Sequence, residues 1–417
     1  VDKKSYEGEA SVRLCNYTDV YYNDQITGDM ELMAATASPE QIERFTLRAG
    51  DTIITKDSET ADDIAVSAYV PKDLPGVVCG YHLAMIRPGT NTRGAFVKRL
   101  FDSTFARSCF EIRANGLTRV GLGQHELDNV ELPFPPIGEQ TTIAEFLDRE
   151  TAKIDALVAE QQQLLELLKE KRQAVISHAV TKGLNPKTPL KHSGVEWLGE
   201  IPAHWSVKRL KHISPFMTVG VVVNPSSFVS DEGLPFIYGG DIREGVIDWE
   251  NSRRISAESC DANAKTRLES GDLLTVRVGA PGVTAVVPPE CEGGNCASVM
   301  LIRRGGYNSD WLCYAMNTRI VRFQVEVVQY GAAQEQFNIA HAVNFWVPAP
   351  PRDEQDKIAT FLAKETAHFD ALTAEAQRAI DLLQERRTAL ISAAVTGQID
   401  VRKVVPAESS TASGVLA

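Results

Sequence analysis

The chain is expected to be α+β. Two mixed α/β, strand-rich globular domains would be joined by two long helices forming an antiparallel coiled coil, the whole a pseudo-two-fold internal duplication. Three observations carry this expectation. A stretch of nearly fifty residues occurs twice with a constant offset and no gap. Both copies show apolar residues at helical period with no interrupting proline. The segments between them are short β-branched runs broken by Gly, Pro, Asn and Asp, which is the pattern of strands and turns.

The repeat organises everything else. Its first copy, Pro133 to Thr181, reads PFPPIGEQTTIAEFLDRETAKIDALVAEQQQLLELLKEKRQAVISHAVT. Its second, Pro348 to Thr396, reads PAPPRDEQDKIATFLAKETAHFDALTAEAQRAIDLLQERRTALISAAVT. The Pro-Pro pair favours extended backbone before the helix. The expected seam is Ile143, Leu147, Ile154, Leu157, Leu164, Leu168, Val175 and Ala179, close to a coiled-coil spacing. About forty helical residues span roughly 60 Å at about 1.5 Å per residue. Such a helix cannot bury its stripe alone, and the second copy is the natural partner. Arg172, Arg386 and Arg387 on these helices are expected to pair with Glu neighbours. Identity at surface positions, such as Glu160 with Glu375, goes beyond what a plain bundle needs.

The duplication extends into the globular parts. Gly50-Asp51-Thr52-Ile53-Ile54 is similar to Gly271-Asp272-Leu273-Leu274-Thr275, and Ile86-Arg87 to Ile302-Arg303. Tyr17-Thr18-Asp19-Val20 lies upstream of the first Gly-Asp as Gly239-Gly240-Asp241-Ile242 lies upstream of the second. The expected division is therefore a first globular domain at 1–136 and a helical region with linker at 137–186. A second globular domain at 187–350, a second helical region at 351–402 and a flexible tail at 403–417 follow.

Composition sets bounds on function. The 417 residues are 43% hydrophobic and 24% charged, enough to bury sizeable cores. No run of 18 or more apolar residues occurs, so no membrane partner is expected. Seven scattered cysteines read as reduced thiols of a cytoplasmic protein. The pair Cys291 and Cys296 has no second ligand pair nearby, which disfavours zinc. A net charge of −12 argues against a DNA grip by this chain alone. It favours a partner that supplies part of the electrostatics.

The motifs PPIGEQ…SHAVTKGL, PPRDEQ…SAAVTGQID and KHSGVEWLGEIPAHWSVKRL resemble those of the specificity (S) subunits of type I restriction–modification systems, over nearly the whole chain. The resemblance implies two target recognition domains, each reading one half of a bipartite, asymmetric double-stranded DNA target. It implies helices that set the spacing and dock two methyltransferase (M) subunits, with restriction (R) subunits joining the full complex. One departure stands out: the first domain lacks a counterpart of GVEWLGEIPAHW. Residues are therefore expected to precede Val1.

The chain is expected to recognise DNA without modifying it. Asn224-Pro225-Ser226-Ser227-Phe228 lacks the second proline of a methyltransferase loop and reads as a turn. There is no Walker A loop, and His125-Glu126 lacks the second histidine of a zincin. No cofactor is expected on this chain. The resemblance places S-adenosylmethionine, ATP and Mg on partner subunits.

Base readout needs Arg, Lys, Asn or Gln that can reach base edges. Three equivalent places recur in the two halves. The first follows Gly-Asp and offers Lys56 and Ser58 in one half and Arg277 in the other. The second precedes the Pro-Pro pair and offers Thr118 and Arg119, then Tyr330, Gln334 and Gln336. The third is aromatic, Tyr17 and Tyr21 with Tyr238 opposite. Solvated loop charges and core tyrosines are the competing readings. Trp197, Trp205 and Trp249 are expected to pack in the second domain. A coiled-coil structural adaptor without direct DNA contact is the alternative for the whole chain.

Overall fold

The computed structural model describes residues 1–330 and 336–403. Residues 404–417, most of the expected tail, lie outside the described residues. Contacts divide the chain into two compact units: Val1–Gln163 with Ala376–Ala417, and Leu164–Glu375. We call these unit 1 and unit 2. Each long helix is shared between them. The first runs Ile137–Lys182 and the second Arg352–Val395, 46 and 44 residues respectively.

The Pro-Pro-x-x-Glu-Gln motif starts each helix. The side-chain amide of Gln140 donates to Pro135 O (2.8 Å) and its Oε1 accepts from Arg93 N (2.8 Å). Gln355 repeats this with Pro350 O (2.9 Å) and Asn308 N (2.8 Å). Both glutamines are buried, so each helix N-terminus is pinned to its globular part. Gly183 and Gly397, at φ +75° and +74°, follow the two helices in the left-handed conformation that ends a helix.

In unit 1, β1 (Ala10–Cys15) is central in a sheet with antiparallel β2 (Met33–Ala37). A second sheet has β3 (Thr52–Thr55) at its centre, flanked by β4 (Ser67–Tyr69) and later β6 (Leu83–Ile86). Between them in sequence, β5 (Val77–Cys79) pairs parallel with β1. Helix α1 (Tyr17–Tyr21) follows β1, while α2 (Gly94–Asp102) and α3 (Thr104–Glu111) follow β6. Phe96 and Leu100 of α2 pack with Ile143, Ala144, Phe146 and Leu147 of the first long helix and Ile391, Ala394 and Val395 of the second.

Ahead of its copy of this plan unit 2 has a small antiparallel pair, Leu190–His192 with Glu200–Pro202, and then β7 (Ser206–Arg209) and β8 (Met217–Val219). Then come β9 (Leu234–Ile237), β10 (Arg253–Ile255), β11 (Leu273–Thr275), β12 (Thr284–Val286), β13 (Asn295–Cys296) and β14 (Met300–Ile302). Helices α4 (Ser309–Asn317) and α5 (Arg319–Val328) and strand β15 (Trp346–Ala349) complete it. β9 pairs antiparallel with β10 and parallel with β13, as β1 does with β2 and β5. Trp311 of α4 takes the place of Phe96, in a core with Trp205, Ile176, Ala179, Ile358 and Leu362.

The repeated dipeptides are structural. Asp51 is fully buried and accepts from Arg87 Nη2 at 2.7 Å and Nε at 2.9 Å. Asp272 is fully buried and accepts from Arg303 Nη1 at 2.7 Å. Asn224 has φ +42° and heads a short 3-10 turn, as its sequence suggests.

Two expectations about the helices change. Leu157 and Leu164 of the expected seam are 44% and 41% exposed, while Ile143, Leu147, Ile154, Leu168 and Ala179 are buried. A straight helix drifts from a strict heptad, so one seam cannot stay covered along its whole length. Arg387 and Arg172 bond across to the other helix rather than to Glu neighbours. In unit 1 Arg387 meets Asp155 at 2.8 Å, and in unit 2 Arg172 meets Asp370 at 3.5 Å. These are the same two repeat positions, and together with the apolar contacts they make the helix pair antiparallel within each unit.

Candidate nucleic-acid interface

In unit 1 the three expected places come together. Asn16 starts helix α1 as its N-cap, and Asp19 accepts from Asn16 N at 2.7 Å. Tyr17 and Tyr21, one turn apart, stack with ring centroids 5.5 Å apart, and the 77% exposed Tyr22 stands edge-on to Tyr21. Tyr21 donates to the Asp63 carboxylate at 3.0 Å. That bond keeps its phenol protonated by pushing its pKa up, and burial does the same for Tyr17.

Beneath the tyrosines, Asp57–Ser58 pairs with Val120–Gly121. The latter two residues close a finger. Asn115 and Gly121 exchange both backbone hydrogen bonds, at 3.1 and 2.9 Å, leaving Leu117, Thr118 and Arg119 exposed at the tip. Gly116 makes this possible: at φ +150°, a Cβ there would sit 1.8 Å from Arg119 O. Asp57 is a hinge of charge, with Oδ2 2.6 Å from His82 Nδ1 and Oδ1 3.3 Å from Arg119 Nη2. Lys56 places Nζ 4.7 Å from the centre of the exposed Tyr81 ring, a cation–π contact.

Unit 2 has the same scaffold with different side chains. Tyr330 and Gln336 exchange both backbone bonds at 2.9 Å, closing the corresponding finger, and Gln336 also bridges to Val278. Gln334 lies outside the described residues. Arg277 donates from Nε to Phe337 O at 3.2 Å, which anchors the guanidinium at the finger's base. Tyr330 is half exposed.

The structure turns two expected contact residues inward. Ser58 is 3% exposed and its hydroxyl donates to Asp63 at 3.4 Å, so it supports the tyrosines from below. Tyr238 packs edge-on to Phe236 and under Arg253, 4.3 Å from its ring centre, with its hydroxyl buried. Residue type alone does not say which face of a short strand or turn is wet. Conversely Tyr22, Tyr81, His82 and Asp57 belong to the unit 1 surface. Signals existed for Tyr22, beside Tyr21, and for Asp57, between Lys56 and Ser58; Tyr81 and His82 are brought in by the turn that leads into β6.

The chemistry is that of selection rather than grip. Amides, phenols, one guanidinium per unit and Lys56 can meet base edges or phosphates, but Asp57 and Asp63 offset the positive charge in unit 1. Among the described residues no group of three or more His, Cys, Asp or Glu is placed to hold a metal. Cys291 and Cys296 are buried, and burial raises their thiol pKa values to about 11 and about 12. No helix among the described residues is long and apolar enough to cross a membrane.

Residues 14–167 match the family model described as the type I restriction modification DNA specificity domain. The chain is 27% identical over 322 residues to the EcoBI specificity subunit of Escherichia coli, covering 72% of this chain and 66% of that one. It is 26% identical over 232 residues to the EcoKI specificity subunit of Escherichia coli strain K12, covering 54% and 47% respectively. The chain thus spans under two thirds of the length of these curated relatives. A solved chain from work on assembly and conformational transition of the type I R-M system shares the fold, with a TM-score of 0.73 at 17% identity over 94% of this chain and 93% of that one. The duplicated helices, the matched domain and these likenesses agree in one resemblance, to the specificity subunits of type I restriction–modification systems.

Proposed function

We propose that this chain is the non-catalytic DNA reader of a type I restriction–modification assembly, each globular part reading one half of an asymmetric, bipartite double-stranded target. The observation that carries the reading is the finger. In each unit a loop closed by a two-bond backbone bridge is set beside the strand that follows Gly-Asp, on a common scaffold with different tip residues. A shared frame with divergent tips is what two different half-sites require. The long helices hold the spacing and dock two methyltransferase subunits, and restriction subunits join for cleavage. S-adenosylmethionine, ATP and Mg are carried by those partners. The mixed charge around the fingers fits a reader whose partners supply the phosphate grip.

The test is half-site specificity in the complex reconstituted with methyltransferase subunits. Arg119→Ala should relax or weaken recognition at one half-site by about 1–3 kcal/mol. Arg277→Ala should act only on the other half-site. If both variants methylate the wild-type target with unchanged sequence preference, the proposal fails and an adaptor role is left standing.

A further inference from the structure

The finger of unit 1 stands on an acid that its backbone does not require. Asp57 pairs with Gly121 in the short ladder at the finger's base. Val278 bridges Gln336 at the base of the finger in unit 2. Val278 stands as far after Gly271 as Asp57 after Gly50, and Gln336 as far before its Pro-Pro pair as Gly121 before the other. The same bridge therefore forms with an apolar side chain in place of the carboxylate, so the acid has another use.

Its contacts say which. The Asp57 side chain is 22% exposed and both its oxygens are engaged, Oδ2 with His82 Nδ1 at 2.6 Å and Oδ1 with Arg119 Nη2 at 3.3 Å. His82 is itself fixed, because its backbone oxygen accepts from Lys56 N at 3.2 Å. Arg119 keeps 56% of its side chain exposed and makes no other hydrogen bond among the described residues. A guanidinium has five N–H donors, so one is held by Asp57 and the rest are left for a ligand. Two effects follow. The tether removes side-chain freedom that binding would otherwise have to remove. The carboxylate also offsets the guanidinium's charge, which weakens its attraction to phosphates present in every sequence, yet leaves its N–H groups in place. The acceptor pair that suits them is N7 and O6 of guanine, side by side on the major-groove edge.

We propose that Asp57, held by His82, is the positioning residue that turns Arg119 from a phosphate contact into a reader of guanine in the unit 1 half-site. This role rests on the finger being a DNA reader, and adds the base it reads and the residue that enforces the choice. The device belongs to unit 1 alone. In unit 2 the equivalent place is Val278, and Arg277 is tethered by the backbone oxygen of Phe337 instead of a carboxylate.

The test uses Asp57→Asn and Asp57→Val, the second copying unit 2, in the complex reconstituted with methyltransferase subunits. Binding is titrated over a range of salt on the wild-type target and on duplexes with each unit 1 base pair replaced. Both variants should lose about tenfold in preference for the G·C pair, equivalent to about 1.4 kcal/mol. They should also bind the replaced duplexes more tightly, with a salt slope steeper by about 0.9, the signature of one more phosphate contact. Preference at the other half-site should not change. Placing 7-deazaguanine at the guanine, which removes N7, should cost the wild type more than either variant. In an Arg119→Ala background Asp57→Asn should have no effect. Weaker binding to every duplex would mark a merely structural role and overturn the proposal. Unchanged selectivity, an effect of Asp57→Asn that survives Arg119→Ala, or a unit 1 half-site without a G·C pair would overturn it as well. An Arg119→Ala variant that reads this half-site normally would overturn the finger as reader and this role with it. One that fails there, beside an Asp57→Asn that does not, would overturn this role alone.

Discussion

Replacing Trp205 by Phe isolates the bond that ties unit 2 to its long helix. The indole is 1% exposed, its Nε1 donates to Glu354 at 2.9 Å, and its ring lies against Gly183, where an added Cβ would approach Cζ2 to 3.2 Å. A hydrogen bond to a charged acceptor contributes about 1.5–3 kcal/mol. Glu354 keeps 31% of its side chain exposed and also meets His204, so about 1–2 kcal/mol is the fitting figure here. The smaller ring leaves an unfilled volume costing about 1 kcal/mol more. The sum, about 2–3 kcal/mol, corresponds to a Tm lowered by roughly 5–10 °C for a unit of this size. All five tryptophans lie in unit 2, so intrinsic fluorescence during urea unfolding follows that unit alone. A double-mutant cycle with Glu354→Gln should return about 1–2 kcal/mol of coupling. Full additivity, or a loss below about 0.5 kcal/mol for Trp205→Phe, would refute the argument that this bond seats the helix on the domain.

Three further outcomes are expected. Gly183→Ala should destabilise by more than Gly397→Ala in denaturant melts: both pay about 1 kcal/mol for left-handed backbone, but only Gly183 meets a ring, nothing lying within 4 Å of a Cβ at Gly397. Gly116→Ala should abolish selection at the unit 1 half-site while thermal melts move little, because its Cβ collides only with the finger's own backbone at Arg119. Burial pushes the Asp24 carboxyl up, yet Lys98 and then Arg99 outweigh it and hold its pKa below the usual range. Its contribution is therefore present at neutral pH and lost as pH falls through and below the ordinary carboxylate range; Asp24→Asn should flatten that part of the pH–stability curve, and an unchanged curve would count against the network.

Much of this architecture could be read from residues because the duplication marks what is structural. Asp51 with Arg87 and Asp272 with Arg303 were visible as matched dipeptides, and both became ion pairs on a fully buried aspartate. The Glu-Gln of each helix start was visible as a motif, and the glutamine turned out to be the pin. What could not be read was the facing of individual side chains. Ser58 and Tyr238 have the chemistry of contact residues, but Ser58 is buried and the Tyr238 hydroxyl is turned away from water. His82 reaches Asp57 only because β6 runs beside β3, a pairing that no local pattern encodes. Leu157 and Leu164 look like seam residues in a heptad but belong to no core cluster, since helical drift carries them off the packed face.

The cross-helix ion pairs have a consequence for inheritance. Asp155 bonds Arg387, and Asp370 bonds Arg172, so each copy's acid is matched by the other copy's base. A charge change in one helix is therefore compensated not within its own repeat but at the position descended from its twin's. Among relatives, correlated substitutions should link 155 with 387 and 172 with 370. Two segments that arose as copies are in this way held to complement each other at these two positions.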